Sequence, residues 1–355
     1  MDKDLKNKTL GELEDVVEAF GQKKYLAKYI FTFIHSKNAA EISDISTLSK
    51  AFRADLAEQG YYISNLKTVE AFTDPDGTVK YLFEMADGNR IETVLLYDGK
   101  RKTLCVSTQA GCSMKCAFCA TAKLKMQRNL TAAEIADQVN VVEKSKGKIT
   151  NIVYMGMGEP LQNYDAALKS VRILNHSQGK NIGLRHLALS TCGDAEGIKR
   201  LADEDILPRL AISLNAPTDE LRSSIMPINK KYPVAALMAA VKFYQQRTQM
   251  RVTFEYVMIK DFNDSASDAQ MLAKLARQVK CNINLIEFNP HKSCRFASSS
   301  MKTIEQFARI LGNAGIETTI RPKKGRKIKA ACGQLGAGLL KHNVKNSPQP
   351  KIPTK

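Results

Sequence analysis

Cys105-Val-Ser-Thr-Gln-Ala-Gly-Cys112-Ser-Met-Lys-Cys116-Ala-Phe-Cys119 holds four of the eight cysteines in the chain. Three of them, Cys112, Cys116 and Cys119, follow the spacing C-x3-C-x2-C. Thiolates this close repel one another unless a cation or cluster neutralises them, or they oxidise in pairs. The preceding residues, 103–107, are β-prone, and Gly111 interrupts the run. The three cysteines therefore fall in a loop just after a strand.

Downstream of this loop the pattern alternates. Short β-branched runs are expected at 151–155, 186–190, 209–214, 252–259, 283–288 and 317–321. Amphipathic helical segments separate them, at 131–145, 164–175, 195–204, 234–247, 265–279 and 302–313. Strand–helix repetition means parallel strands joined by crossover helices. The expected class is α/β, an open partial barrel of about six strand–helix units; a doubly wound sheet is the second choice.

Upstream, residues 1–66 read as helical. Thr9-Leu-Gly-Glu12 is a capping box, and Leu10, Leu13, Val16, Val17 and Phe20 follow at helical spacing. Further apolar stripes run through Tyr25 to Ile34 and Leu48 to Leu56. Residues 67–97 change to a β-meander punctuated by Asp76-Gly77, Asp87-Gly88 and, at its end, Asp98-Gly99. The barrel is placed at 98–326. The last stretch, 341–355, is a basic flexible tail without acidic residues.

Composition narrows the class. A hydrophobic fraction of 44% suits a globular protein. No apolar run is long enough for a membrane span, and the N-terminus lacks the apolar core of a signal peptide. The expected location is the cytoplasm, where cysteines serve as metal ligands, reactive thiols or buried fillers. A net charge of +17 favours a polyanionic partner, most often nucleic acid. His35, His176, His186, His291 and His342 show no metal-ligand spacing.

Three thiolates can hold three corners of an iron–sulfur cubane and leave one iron open. A structural zinc site with a distant fourth ligand is the rival reading, within a non-catalytic RNA-binding protein. The lone triplet on a strand–helix fold favours the cluster.

The triplet, with Phe118 before its last cysteine, resembles that of the radical S-adenosylmethionine (SAM) enzymes. Narrower similarity lies in Thr103-Leu-Cys-Val-Ser-Thr-Gln109, Asn129-Leu-Thr131, Met155-Gly-Met-Gly-Glu-Pro160, Met226-Pro-Ile-Asn-Lys-Lys-Tyr232, Glu255-Tyr-Val-Met258, Asn284-Leu-Ile-Glu-Phe-Asn-Pro290 and Ala330-Ala-Cys-Gly-Gln-Leu335. Together these resemble the RlmN/Cfr family of radical SAM RNA methyltransferases over about residues 85–336. Pro160 matches the RlmN branch, where Cfr-like sequences tend to carry Ala. Asn215 departs from the His of many members.

The resemblance implies a partial (β/α)6 radical-SAM barrel with a helical accessory domain, a short antiparallel extension and a reactive-cysteine loop at 327–340. It implies a [4Fe-4S] cluster on Cys112, Cys116 and Cys119, its open iron chelated by the methionyl part of SAM. Gly158, Glu159, Ser190, Ser213, Leu214, Asn215 and Asn289 fall on one rim and would grip SAM. It also implies methylation at adenine C2 in 23S rRNA, in the peptidyl-transferase region, and in tRNA, 3′ of the anticodon. Two SAM molecules would be used per turnover, with a reducing donor such as flavodoxin and the enzyme a monomer. Cys332 would first be methylated, and a 5′-deoxyadenosyl radical would then take a hydrogen from that methyl group. The carbon radical would add to the ring, and Cys105 would release the product by forming a Cys105–Cys332 disulfide. Glu92 matches a carboxylate regarded as a proton acceptor. Cfr-type C8 methylation is the alternative. Cys192, Cys281 and Cys294 read as buried fillers. Arg321, Lys323, Lys324, Arg326, Lys327 and Lys329 precede Cys332 and would hold phosphates.

Anaerobically isolated protein is expected to be brown and to release acid-labile sulfide. A colourless protein carrying stoichiometric zinc would refute the cluster.

Overall fold

The computed structural model describes residues 2–291 and 294–339. The tail at 341–355 lies outside the described residues. The chain begins with three helices, α1 (Leu10–Ala19), α2 (Tyr25–His35) and α3 (Lys50–Glu58). Four strands follow: β1 (Lys67–Thr73), β2 (Val79–Glu84), β3 (Arg90–Asp98) and β4 (Arg101–Cys105). A small ribbon, β5 (Gln109–Ala110) with β6 (Arg128–Asn129), brackets the cysteine loop. Then come α4 (Ala132–Lys146), β7 (Asn151–Tyr154), α5 (Tyr164–Asn175), β8 (Leu187–Thr191), α6 (Ala195–Leu201), β9 (Arg209–Ser213), α7 (Asp219–Ile225), α8 (Val234–Thr248), β10 (Val252–Met258), α9 (Ala266–Ala276), β11 (Cys281–Glu287), α10 (Met301–Asn313) and β12 (Thr318–Arg321).

All strands except β5 and β6 form one sheet, ordered β1-β2-β3-β4-β7-β8-β9-β10-β11-β12. Pairing is antiparallel from β1 to β4 and parallel from β4 to β12. The six expected β runs are all present, and β4 joins them as the parallel partner of β7. The strands of the meander, β1 to β3, extend the barrel sheet on its antiparallel side. Its hairpins turn at Gly77, Gly88 and Gly99, all at positive φ, where a side chain would be strained. Four elements, β1, β5, β6 and α7, have no counterpart among the sequence patterns. β1 is an almost wholly exposed edge strand and buries too little to alternate clearly. The short helix α7 is capped by Thr218, whose hydroxyl accepts from Leu221 N.

The capping box at Thr9 forms as expected, and Thr131 with Glu134 makes a second at the start of α4. One apolar core joins α1, α2 and α3 to β2–β4, β7 and α4; a second fills the β8–β11 half. The helical unit is also clamped by buried charge. Asp137 on α4 accepts from Lys6 Nζ at 2.7 Å and from Leu66 N at 2.8 Å. Lys180 donates to Asn38 Oδ1 at 2.7 Å and pairs with Glu143 at the same distance. Among the described residues no helix is long and apolar enough to cross a membrane.

Lys6 and Asp137 are both nearly inaccessible to solvent. Replacing one partner leaves the other as an uncompensated buried charge, at a cost of about 3–5 kcal/mol. Asp137→Asn is expected to lower unfolding stability by that amount, read from denaturant midpoints.

Candidate active site

The site is built on the C-terminal ends of β4 and β7. Beyond Cys105 the chain continues in register with β7: Val106 N donates to Val153 O at 2.9 Å, and Gly156 N donates back to Val106 O at 3.0 Å. Ser107 Oγ donates to Glu92 O at 2.6 Å and accepts from Met157 N at 2.8 Å. Gln138 on α4 locks the same bend, accepting from Ser107 N and donating to Ser107 O. The segment 155–159 is thus laid against 106–109, and its glycines follow from that contact. A Cβ on Gly156 would meet Val106 O at 2.6 Å, and one on Gly158, where φ is +102°, would meet Gln109 Cβ at 2.6 Å. Glu159 comes next and is buried. It accepts from Cys192 N at 2.7 Å and from Leu161 N at 3.2 Å, yet burial still pushes its carboxyl upward.

Cys116 is buried, and Cys112 and Cys119 are half-buried. Lys115 turns the chain between them at φ +55°. The loop is pinned by Ala117 N donating to Ile225 O at 2.8 Å and Ala120 N donating to Gly333 O at 2.7 Å. Burial pushes the Cys112 thiol up to about 12 and raises Cys116 and Cys119 as well. Cys119 and Cys112 add to the rise at Cys116, so the three sulfurs share one neighbourhood. Among the described residues, no three His, Cys, Asp or Glu side chains converge tightly enough for a single ion. The fit of an iron–sulfur cluster therefore rests on the donor set: three adjacent thiols, protonated until a cationic centre displaces their protons.

The remaining rim residues differ in what they can offer. Ser190 and Ser213 are half-buried at their strand ends. Leu214 is fully buried in the apolar core, and its N–H already donates to Glu255 O at 3.0 Å. Asn215, at φ +59°, is fully buried. Its Oδ1 accepts from Val257 N at 2.9 Å, and its carbonyl accepts from Asn263 Nδ2 at 2.7 Å. Asn215 is thus bonded within the protein, and a ligand would have to share it. Asn289 lies beside the reactive loop, with Nδ2 3.5 Å from Cys332 O.

One further residue of this rim emerges only from the structure. Arg222 on α7 is fully buried. It donates to Cys192 O at 2.6 Å, Asn229 Oδ1 at 2.9 Å and Leu214 O at 3.1 Å. It ties the ends of β8 and β9 together and lowers the Cys116 thiol against the effect of burial. A lone Arg in a short helix carries no sequence signal of this.

A cavity of about 850 Å³ occupies the barrel interior, and Cys105, Cys119 and Cys332 all line it. Burial pushes Cys105 up to about 12, with Cys332 adding to the rise. Cys332 is open to the cavity but surrounded by protein, and burial raises it too. Arg321 opposes both shifts. Its guanidinium lies 3.7 Å from the buried Glu255, which also accepts from Asn284 at 2.9 Å. The basic run before Cys332 divides. Lys323 pairs with Glu287 and Lys324 donates to Tyr97 O, whereas Arg326, Lys327 and Lys329 are exposed. Among the described residues, Cys192, Cys281 and Cys294 stand outside the cavity wall, as does Glu92. Glu92 is 3% exposed, lies 3.0 Å from Lys80 Nζ and accepts from Gly336 N at 2.7 Å.

A parallel-strand barrel with a cysteine triplet at the end of its first strand defines the radical SAM class. Residues 106–276 match the Radical SAM superfamily, and residues 3–61 match the Ribosomal RNA large subunit methyltransferase N-terminal domain. The chain is 44% identical over 337 residues to a "Probable dual-specificity RNA methyltransferase RlmN" of Dictyoglomus turgidum, covering 94% of this chain and 96% of that one. It is 42% identical over 338 residues to the "Dual-specificity RNA methyltransferase RlmN" of Geotalea uraniireducens, covering 95% and 98%. A crystal structure of a radical SAM methyltransferase from Sphaerobacter thermophilus superimposes with a TM-score of 0.89 at 42% identity, covering 95% of this chain and 100% of that one. The chain belongs to the RlmN family of radical SAM methyltransferases. It works with a [4Fe-4S] cluster and SAM.

Arg222→Met removes donors from two buried carbonyls and leaves Asn229 short of a partner. The expected loss is at least about 2 kcal/mol, read from thermal unfolding of the cluster-free protein.

Proposed function

We propose that this chain methylates C2 of adenosine in the peptidyl-transferase region of 23S rRNA and in tRNA 3′ of the anticodon. The observation that carries the reading is that Cys105 and Cys332, at opposite ends of the barrel sequence, line one cavity with Cys119. Similarity to relatives named as dual-specificity RNA methyltransferases supports both RNA substrates.

When bound, the cluster and two SAM molecules per turnover supply a methyl group and then a 5′-deoxyadenosyl radical. Cys112, Cys116 and Cys119 hold the cluster. Gly158, Glu159, Ser190, Ser213, Asn215 and Asn289 would hold SAM, with Leu214 packed in the apolar core behind them. Glu159, protonated or ionised, is positioned by two backbone N–H groups to meet the amino group of SAM. Cys332 Sγ receives the methyl group and carries it to the ring. Cys105, once deprotonated, takes the C2 proton; burial works against its thiolate and Arg321 works in favour of it. Cys105 Sγ then attacks Cys332 Sγ. As the sulfur–carbon bond breaks, the proton taken from C2 passes from Cys105 to the methylene carbon, which becomes the methyl group of the adenine; the unpaired electron of the adduct leaves to a one-electron acceptor of the reducing chain, and a disulfide remains to be reduced. Arg326, Lys327 and Lys329 offer charge to RNA phosphates. The target adenine must be unstacked to enter the cavity. A flavodoxin-like donor, a monomeric state and a cytoplasmic location complete the reading.

Incubation with SAM, reductant and rRNA or tRNA, followed by nucleoside mass spectrometry, is expected to give 2-methyladenosine; 8-methyladenosine would overturn the C2 assignment. Cys332→Ala is expected to abolish methylation, and Cys105→Ala to trap a covalent protein–RNA adduct. Full activity of Cys332→Ala would end the methyl-cysteine scheme.

A further inference from the structure

The segment 325–339 carries Cys332 on turns rather than on a helix or strand. It lies between two walls. On one side the cysteine loop holds it: Ala120 N donates to Gly333 O at 2.7 Å, and Thr121 Oγ1 donates to Leu335 O at 2.7 Å. On the other side stands the antiparallel extension, and there every contact of the following set has the same form, a carboxylate receiving a backbone N–H of the segment. Asp76 Oδ2 accepts from Gly325 N at 2.7 Å. Asp74 Oδ2 accepts from Lys327 N at 2.8 Å and from Ile328 N at 3.3 Å. Glu92 Oε2 accepts from Gly336 N at 2.7 Å. The three carboxylates therefore grip the segment on both sides of Cys332.

Each carboxylate is itself held. Asp74 and Asp76 sit in the β1–β2 hairpin, where Thr78 N donates to Asp76 Oδ1 at 2.9 Å and Asp76 N donates to Asp74 Oδ1 at 3.2 Å. Glu92 is buried on β3 and balanced by Lys80 on β2 at 3.0 Å. Its two oxygens thus face a lysine and a backbone amide. Neither Glu92, Asp74 nor Asp76 lines the cavity in which Cys105 and Cys332 lie. Charge-assisted bonds to N–H groups are among the stronger hydrogen bonds, and four of them from three carboxylates, on a segment of turns, would decide where it sits.

We infer that the antiparallel extension is a docking cradle for the reactive-cysteine segment, and that Asp74, Asp76 and Glu92 are positioning residues. This rests on the proposed role of Cys332. It separates Glu92 from proton transfer, which falls to Cys105. Cys332 must meet SAM, the adenine and Cys105 in turn. A segment held by a few amide bonds can be placed for each of these encounters without being frozen, and the extension supplies those bonds.

The test uses Glu92→Gln and Asp74→Asn in the full-length, cluster-loaded protein. Two readouts are taken before RNA is added: hydrogen exchange across 325–339, and the rate of Cys332 alkylation by iodoacetamide, followed by peptide mass spectrometry. Both variants are expected to raise exchange in this segment and to alkylate Cys332 about tenfold faster or more, a ratio set by losing one charge-assisted bond. Methyl-Cys332 formation should slow in both. In a Cys105→Ala background both should also reduce, not increase, the yield of RNA adduct. Wild-type exchange and alkylation in both variants would overturn the cradle, whether or not the chain methylates RNA. Accumulation of adduct in Glu92→Gln alone, with Asp74→Asn unchanged, would overturn it in favour of a proton acceptor. Failure of the unaltered enzyme to methylate RNA would refute the proposed activity but leave these exchange and alkylation results to decide the cradle.

Discussion

Desolvation works against every thiolate at this end of the barrel, where Cys105 and Cys116 are buried, Cys112 and Cys119 half-buried and Cys332 open to the cavity. Burial raises Cys105, Cys112, Cys116, Cys119 and Cys332 alike. Each becomes a ligand or a nucleophile only where positive charge is brought close. The protein does this with two guanidinium groups, a buried one on Arg222 and a half-buried one on Arg321. Arg222 lies near Cys116, held mainly by carbonyls. Arg321 lies near Cys105 and Cys332, beside Glu255. The rest of the fold serves to keep these charges and sulfurs at fixed places.

That placement depends on strand ends. The parallel sheet brings the exits of β4, β7, β8, β9 and β11 to one rim, and the close packing of 155–159 on 106–109 needs glycine at two positions. The helical unit stiffens the opposite side through Asp137 and Glu143 on α4, the same helix whose Gln138 locks the bend at Ser107. The antiparallel extension reaches the site from its edge and touches the Cys332 segment through carboxylates. Three structural units thus converge on one loop cluster, although each looks independent along the chain.

Much of this is legible in the sequence because local rules govern it. The Asp-Gly turns, the capping box at Thr9 and the alternation of strands and helices are all short-range patterns. What escapes has an equally definite cause. β1 is an exposed edge, so no burial imposes a period on it. Arg222 is important only because three chain segments converge on it. Half of the basic run before Cys332 turns inward, since Glu255, Glu287 and Tyr97 O meet it there. Glu92 reads as an ordinary strand carboxylate until Lys80 and Gly336 are placed around it.

The sequence by itself determined the cysteine triplet, its position after a strand, the α/β class and the charge that suits a polyanion. These follow from spacing and composition, which do not depend on distant contacts. Only the tertiary structure brings Cys105 and Cys332 to one cavity wall together with Cys119, and shows which residues of the basic run are exposed. The reason is physical: burial, pairing and the approach of one sulfur to another are set by where strands exit the sheet, and no local pattern encodes a meeting between residues so far apart.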